Sequence, residues 1–109
     1  SYFSIVEAGA FKGWKRHHQM TLNLVVPVGA VRFIIYDDRL ESSTYLTFQD
    51  VTLSIENYQR LTVPPMVWMA FHGVGVSESM LLNLASIPHN PNEVDRKLIN
   101  EINFNWLVK

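Results

Sequence analysis

The sequence predicts an all-β fold, a sandwich or a closed barrel, and three observations carry this. Apolar residues recur with a period of two over most of the chain, not with the period of a helix. The apolar runs are short and rich in β-branched and aromatic residues. Turn-forming residues bound them about every eight to twelve positions, among them Gly29, Pro64-Pro65 and Gly73-Val74-Gly75.

In chain order, Tyr2 to Val6 reads as a strand from its aromatic and β-branched residues. Because no leading loop precedes it, further strands of the sheet are expected in front of Ser1. Thr21 to Val28 alternates, with Leu22, Leu24, Val26 and Val28 on one face, and Val31 to Tyr36 follows after Gly29-Ala30. The two are expected to form a hairpin. Asp37-Asp38-Arg39 and Glu41-Ser42-Ser43-Thr44 make a polar loop. Tyr45 to Phe48 and Val51 to Ile55 read as two short strands, with a turn at Glu56-Asn57. Arg60 to Val63 is a strand stopped by Pro64-Pro65, and Val67 to His72 and Met80 to Ala85 complete the set. The tail alone reads as helix. Asn90 is a capping residue, Pro91 suits the first helical position and Glu93 is an acid in the first turn. Val94, Leu98 and Ile102 then recur at helical spacing.

The bulk numbers bound the function. With 109 residues the chain has room for one domain, 1–109, and 48% hydrophobic residues can fill a core. Nine basic and ten acidic residues leave a net charge of −1, so no basic field points to nucleic acid or to an anionic membrane. The most apolar stretch, Leu22 to Tyr36, is broken by Pro27, Gly29 and Arg32 and is too short to span a bilayer. The chain has no cysteine, which removes disulfides and thiolate metal sites and suits a reducing cytoplasm.

Candidate chemistry concentrates in Lys12-Gly13-Trp14-Lys15-Arg16-His17-His18-Gln19. Such a run is either a solvated connection between strands or a set of cations and imidazoles at the mouth of a barrel, where ligands bind. Adjacent residues on a strand face opposite ways, so His17 and His18 do not make a metal pair, and no bound metal or other cofactor is expected. His72 reads as a rim or core histidine, and His89 is distant in sequence. In Leu61 to Phe71, Trp68 and Phe71 read either as core or as a wall on which a sugar or base could stack. Asp37, Asp38 and Arg39 read as a charged turn rather than an acid pair.

Together these segments resemble the dTDP-4-dehydrorhamnose 3,5-epimerase family. The resemblance rests on Gly-x-x-Lys-Gly-Trp, on Val-Pro-Val-Gly-Ala-Val-Arg-Phe-Ile-Ile-Tyr-Asp-Asp-Arg, on Ser-Ser-Thr and on Leu-Thr-Val-Pro-Pro. Leu81-Leu82-Asn83-Leu84 and the stretch from Ile102 to Trp106 extend it. It implies a cupin jelly roll (a double-stranded β-helix), here with a short C-terminal helix and without the full-length family's N-terminal strands. It also implies a cytoplasmic homodimer acting on a nucleotide-linked 4-keto-6-deoxy sugar in surface-polysaccharide biosynthesis. The family's reaction is removal and return of protons beside the ketone by a histidine base and a tyrosine acid, without metal.

This sequence departs from the family at the positions of chemistry. The family's Arg-Gly-Leu-His reads Lys12-Gly13-Trp14-Lys15, and its Pro-Pro-Gly-x-x-His reads Pro64-Pro65-Met66-Val67-Trp68-Met69. Asn83 stands at the place of the acid tyrosine. With Lys12, Lys15, Met69 and Asn83 at the family's positions and the rest taken from the cationic run and the aromatic strand, the candidate catalytic set is Lys15, His17 and Asn83, and the candidate substrate-binding set is Lys12, Arg16, His18, Trp68 and Met69. Two readings follow: an epimerase or isomerase with altered residues, or a non-catalytic binding module that has lost the acid–base pair.

Overall fold

The computed structural model describes residues 2–84 and 91–108, with the side chains of Tyr2 and Pro91 left aside. Among the described residues nine strands form two antiparallel sheets: β1 Tyr2–Val6, β2 Phe11–His17, β3 Leu22–Val28, β4 Ala30–Asp37, β5 Thr47–Ser54, β6 Leu61–Val63, β7 Trp68–Gly73, β8 Ser79–Asn83 and β9 Val94–Lys97. The four-stranded sheet has the order β1-β8-β3-β6 and the five-stranded sheet β5-β4-β7-β2-β9. The pairs β1 with β8, β2 with β7, β3 with β6 and β4 with β5 are those of one long hairpin rolled onto itself, the topology of a jelly roll.

The alternation of side chains sorts the core. Val31, Phe33 and Ile35 of β4 face the opposite sheet, where they meet Leu22, Leu24, Val26 and Leu81, and Met69 of the adjacent strand β7 joins the same cluster. Phe33 is fully buried, and truncating it to alanine would cost about 3–5 kcal/mol. The next residues along β4, Arg32, Ile34 and Tyr36, face outward. There Ile34 joins Trp14, Trp68, Ala70 and Ile102 in a second cluster, with Ile99, Phe104 and Trp106 of the tail packed against it. The five-stranded sheet is therefore covered on both faces.

Several sequence expectations change. β3 and β4 are not a hairpin: they belong to different sheets, and the chain crosses between them at Gly29, whose φ is 83°. A Cβ on Gly29 would lie 2.2 Å from the Ser79 hydroxyl, so the crossing needs glycine for both conformation and space. The two short strands around residue 50 are one strand, β5. The polar run from Lys12 is itself a strand, β2, in the interior of the five-stranded sheet. The tail is not an α-helix: short 3-10 turns, Pro91–Glu93 and Ile99–Glu101, flank the edge strand β9. Pairing of β9 with β2 overrides the helical spacing of Val94, Leu98 and Ile102. Ala85, His89 and Asn90 lie outside the described residues. Among those described, no helix is long and apolar enough to cross a membrane.

Candidate functional site

Between the sheets lies a cavity of about 280 Å³ whose lining includes Lys12, Lys15, His17, Met69, Asn83 and Arg96. Its floor is apolar, built from Leu22, Leu24, Phe71 and Leu81, and its rim is cationic. Local geometry explains the clustering. Lys15 and His17 are two apart on β2 and so share a face. Lys12 is three away from Lys15 and would face outward on a regular strand. A register shift in the β2–β7 pairing between Lys12 and Lys15 restores it to the inner face. Gly13 sits in this bulge, where a Cβ would come within 2.9 Å of the Lys97 carbonyl oxygen. Arg96 reaches the same rim because it is the cross-strand partner of Lys15 on β9.

His17 is held by a residue the sequence reading did not include. Its Nδ1 donates to Glu93 Oε2 at 2.9 Å, and the other oxygen, Oε1, accepts the backbone N–H groups of Gln19 and Met20 at 2.5 and 2.7 Å. Glu93 is itself buried. Burial alone would raise its pKa. The N–H of Gln19, the His17 ring and the N–H of Met20 outweigh that and bring it to about 2. The carboxylate is thus ionised and fixed, and Nε2 of His17 is left for the cavity.

Lys15 has no carboxylate partner among the described residues. Partial desolvation of its amine at the rim, then the charges of Arg96 and Lys12, push it below the ordinary lysine range. The cations responsible are therefore Arg96 and Lys12, not the sequence neighbours Arg16 and His18. Met69 pairs with Lys15 across β7 and Asn83 is buried on β8, both lining the cavity.

Arg16, His18 and Trp68 are placed elsewhere. Arg16 and Trp68 are cross-strand partners on the outer face of the five-stranded sheet, with the guanidinium 4.6 Å from the indole centroid. Asp95 accepts from Arg16 and from His18 at 2.8 and 2.9 Å, and Asp38 accepts the Trp68 indole N–H at 3.0 Å. These three residues fasten β9 and the loop after β4, and none lines the cavity. His72 also faces outward, stacked on Phe11 at 3.8 Å, with its pKa lowered by burial and by Arg32. A wider concavity of about 910 Å³ on that face includes Arg32 and His72. Its cation is already engaged by Asp50 and by the carbonyl oxygens of Trp106 and Val108.

The charged turn after β4 is structural. Asp37 is buried and accepts hydrogen bonds from Arg39, Ser42 and Thr44, which hold it far below the usual carboxylate range. Among the described residues, no group of three or more His, Asp or Glu side chains is placed to hold a metal ion.

No family model matches the sequence. Over 97% of its length the chain superposes on the crystal structure of a dTDP sugar isomerase from Desulfovibrio desulfuricans, with 38% identity, a TM-score of 0.93 and 69% of that chain covered. The chain belongs to the dTDP-4-dehydrorhamnose 3,5-epimerase family. Over 100 residues it is 28% identical to a probable low-salt glycan biosynthesis epimerase of Haloferax volcanii, covering 91% of this chain and 64% of the relative. The chain thus spans under two thirds of that curated relative's length. The dTDP-4-dehydrorhamnose 3,5-epimerase of Bacillus anthracis, solved with TDP and pyrophosphate bound, matches with a TM-score of 0.81 at 22% identity, over 91% of this chain and 58% of that one. At that identity the likeness shows the shared jelly roll.

Proposed function

We propose that this protein is an epimerase-type isomerase of a nucleotide-linked 4-keto-6-deoxy sugar, with His17 as its base. The observation that carries this reading is the His17–Glu93 pair on the wall of a cation-rimmed cavity. A proton on the carbon beside a ketone is acidic enough for a positioned base, and Nε2 of His17 is the imidazole nitrogen left to take it. Lys15, on the same face of β2, acts at the ketone end of the substrate. Arg96 and Lys12 hold the diphosphate, the arginine as a fork and the lysine as a point charge. The apolar floor receives the deoxy carbon. Asn83 cannot return a proton, so the opposite face of the carbon is protonated through water. The names of the relatives, a dTDP sugar isomerase and a glycan biosynthesis epimerase, support this substrate class and a place in glycan synthesis, and a cytoplasmic location is part of the same proposal.

The second reading is a sugar-nucleotide-binding module without turnover, favoured by Met69 and Asn83 at two positions of the family's chemistry. One experiment separates them: incubation with dTDP-4-keto-6-deoxyglucose in heavy water, read at C3 and C5 by NMR. Deuterium at either carbon, lost in His17→Asn, supports the enzyme. Tight binding without exchange supports the module.

A homodimer is part of the proposal. The outer face of the four-stranded sheet exposes Phe3, Ile5 and Val28, at 62%, 46% and 54%, beside Val25, Met80 and Leu82. These six side chains carry no charge, so the patch can meet its own copy without repulsion, and a second copy is the proposed partner. Sedimentation should show a dimer that Ile5→Asp converts to monomer. A wild-type monomer at micromolar concentration would overturn this.

A further inference from the structure

We propose that Lys15 is a covalent catalyst, whose Nζ forms an imine with the ketone carbon of the bound sugar while His17 removes the proton from the adjacent carbon. The inference rests on the sugar-nucleotide reading above and goes beyond it in naming a covalent intermediate.

Three features of the site point to it. First, Lys15 and His17 are two residues apart on one face of β2, so their backbones are about 6.5 Å apart along the strand. An amine at the ketone carbon and a base at the next carbon call for two side chains so arranged. Second, the amine is bracketed in the sheet by Met69 on β7 and Arg96 on β9, and no carboxylate among the described residues pairs with it. A lysine kept for charge balance has an acid beside it, whereas this one has an apolar thioether and another cation. Third, Lys12, Lys15 and Arg96 crowd one rim over an apolar floor, an environment that favours the neutral amine a carbonyl addition needs.

The step balances without a redox partner. The lone pair of the neutral Nζ adds to the ketone carbon, and the ketone oxygen leaves as water with one hydrogen from the amine and one proton from solvent, so that the nitrogen keeps one hydrogen and a positive charge. The resulting iminium draws electrons from the neighbouring C–H bond, and the proton passes to Nε2 of His17, leaving an enamine. A water on the opposite face protonates the enamine carbon and restores the iminium, and a second water hydrolyses it to ketone and free amine, returning one proton to solvent. The iminium acidifies the adjacent carbon more than a neutral ketone does, which compensates for the absence of a tyrosine at Asn83.

The experiment is reductive trapping. The intact protein is incubated with dTDP-4-keto-6-deoxyglucose and sodium cyanoborohydride, then digested and mapped by mass spectrometry, with heavy-water exchange followed in parallel. The expected result is a secondary-amine adduct on Lys15, absent in Lys15→Arg, with exchange at least tenfold slower in that variant. Arginine keeps the charge and bulk, so retained sugar-nucleotide binding by Lys15→Arg shows that the site is still folded. Exchange by the wild-type protein without an adduct would overturn the imine and leave the epimerase reading standing. An adduct confined to Lys12 or Lys97 would overturn it as well. Neither binding nor exchange would remove the substrate reading and the imine together.

Discussion

One carboxylate, that of Glu93, orients the ring of His17 through Oε2 and closes the connection after β2 through Oε1. In Glu93→Gln the amide oxygen can keep the two backbone N–H groups only by turning its NH2 toward Nδ1, which holds the imidazole in the tautomer with Nε2 protonated and unable to take a proton. Turnover is expected to fall by about 10²-fold, as loss of an oriented base does, while KM stays within about twofold because no ligand contact is removed. A rise in KM with unchanged kcat would show that Glu93 serves only the fold. Steady-state kinetics on dTDP-4-keto-6-deoxyglucose make the distinction.

The same carboxylate sets an acid limit on stability. Glu93 titrates near 2 in the folded protein against an ordinary value of 4.5, and Asp37 lies lower still, held first by Arg39 and then by Ser42 and Thr44. Both shifts are downward. The stabilisation is therefore complete above the unfolded carboxylate values and is lost as pH falls through the folded ones. The midpoint of thermal unfolding should fall gently from neutral pH to about 5, as His72 takes a proton more readily in the unfolded chain, and then drop by ~5 °C or more by pH 2.5. Glu93→Gln should be less stable at neutral pH and should lose less between pH 4.5 and 2.5. A wild-type midpoint that does not move in that window would contradict the buried, ionised carboxylate.

Lys12 and Arg96 are expected to act on affinity. Each charge-assisted contact to a diphosphate is worth about 1.5–3 kcal/mol, so Lys12→Ala and Arg96→Ala should each weaken dTDP binding by about tenfold or more. The loss should shrink in high salt, because the rim is exposed. Arg16→Ala, which removes a cation of the outer face, should leave dTDP binding unchanged while loosening β9. Calorimetric titration of the three variants tests the division of the two faces. An effect of Arg16→Ala as large as that of Arg96→Ala would refute it.

Much of this arrangement was legible in the sequence, and the exceptions have physical causes. Period-two alternation marked β3, and short apolar runs between turn residues marked β1, β4, β7 and β8, because each buries a face against the opposite sheet. β2 escaped notice because its inward residues, Lys12, Lys15 and His17, are the polar lining of the cavity, so the functional strand lacks the apolar signature of a strand. The sheet change at Gly29 looks like a hairpin turn in one dimension, and only the partner strands reveal the difference. Val94 and Leu98 fit a helical period by coincidence of spacing, while Arg96 and Asp95 are set on opposite faces by pairing with β2. Glu93 was read only as an acid in the first turn of a helix. Its burial beside His17, 76 residues earlier in sequence, follows from the β2–β9 pairing, and no local pattern encodes that contact.

Gly13 gives the most direct test that β9 forms a wall of the site. A methyl group there would lie 2.9 Å from Lys97 O and 3.5 Å from Ile99 N, both backbone atoms, so Gly13→Ala must push β9 away from β2. That movement carries off Arg96 and strains the connection that seats Glu93. The variant should lose ~5 °C of thermal stability or more, and at temperatures where it remains folded its turnover should still be reduced at least about tenfold, given the sensitivity of an oriented base to small displacements. Gly9→Ala supplies the control. Gly9 has a φ of 80° and no atom within 4 Å of its added Cβ, so the substitution strains the backbone without moving a neighbour. Comparable destabilisation in Gly9→Ala with turnover intact, beside loss of turnover in Gly13→Ala, would locate the chemistry at the β2–β9 seam. Full turnover in a folded Gly13→Ala variant would mean that neither Arg96 nor Glu93 needs its present position, and the assignment of this cavity as the site would fall with it.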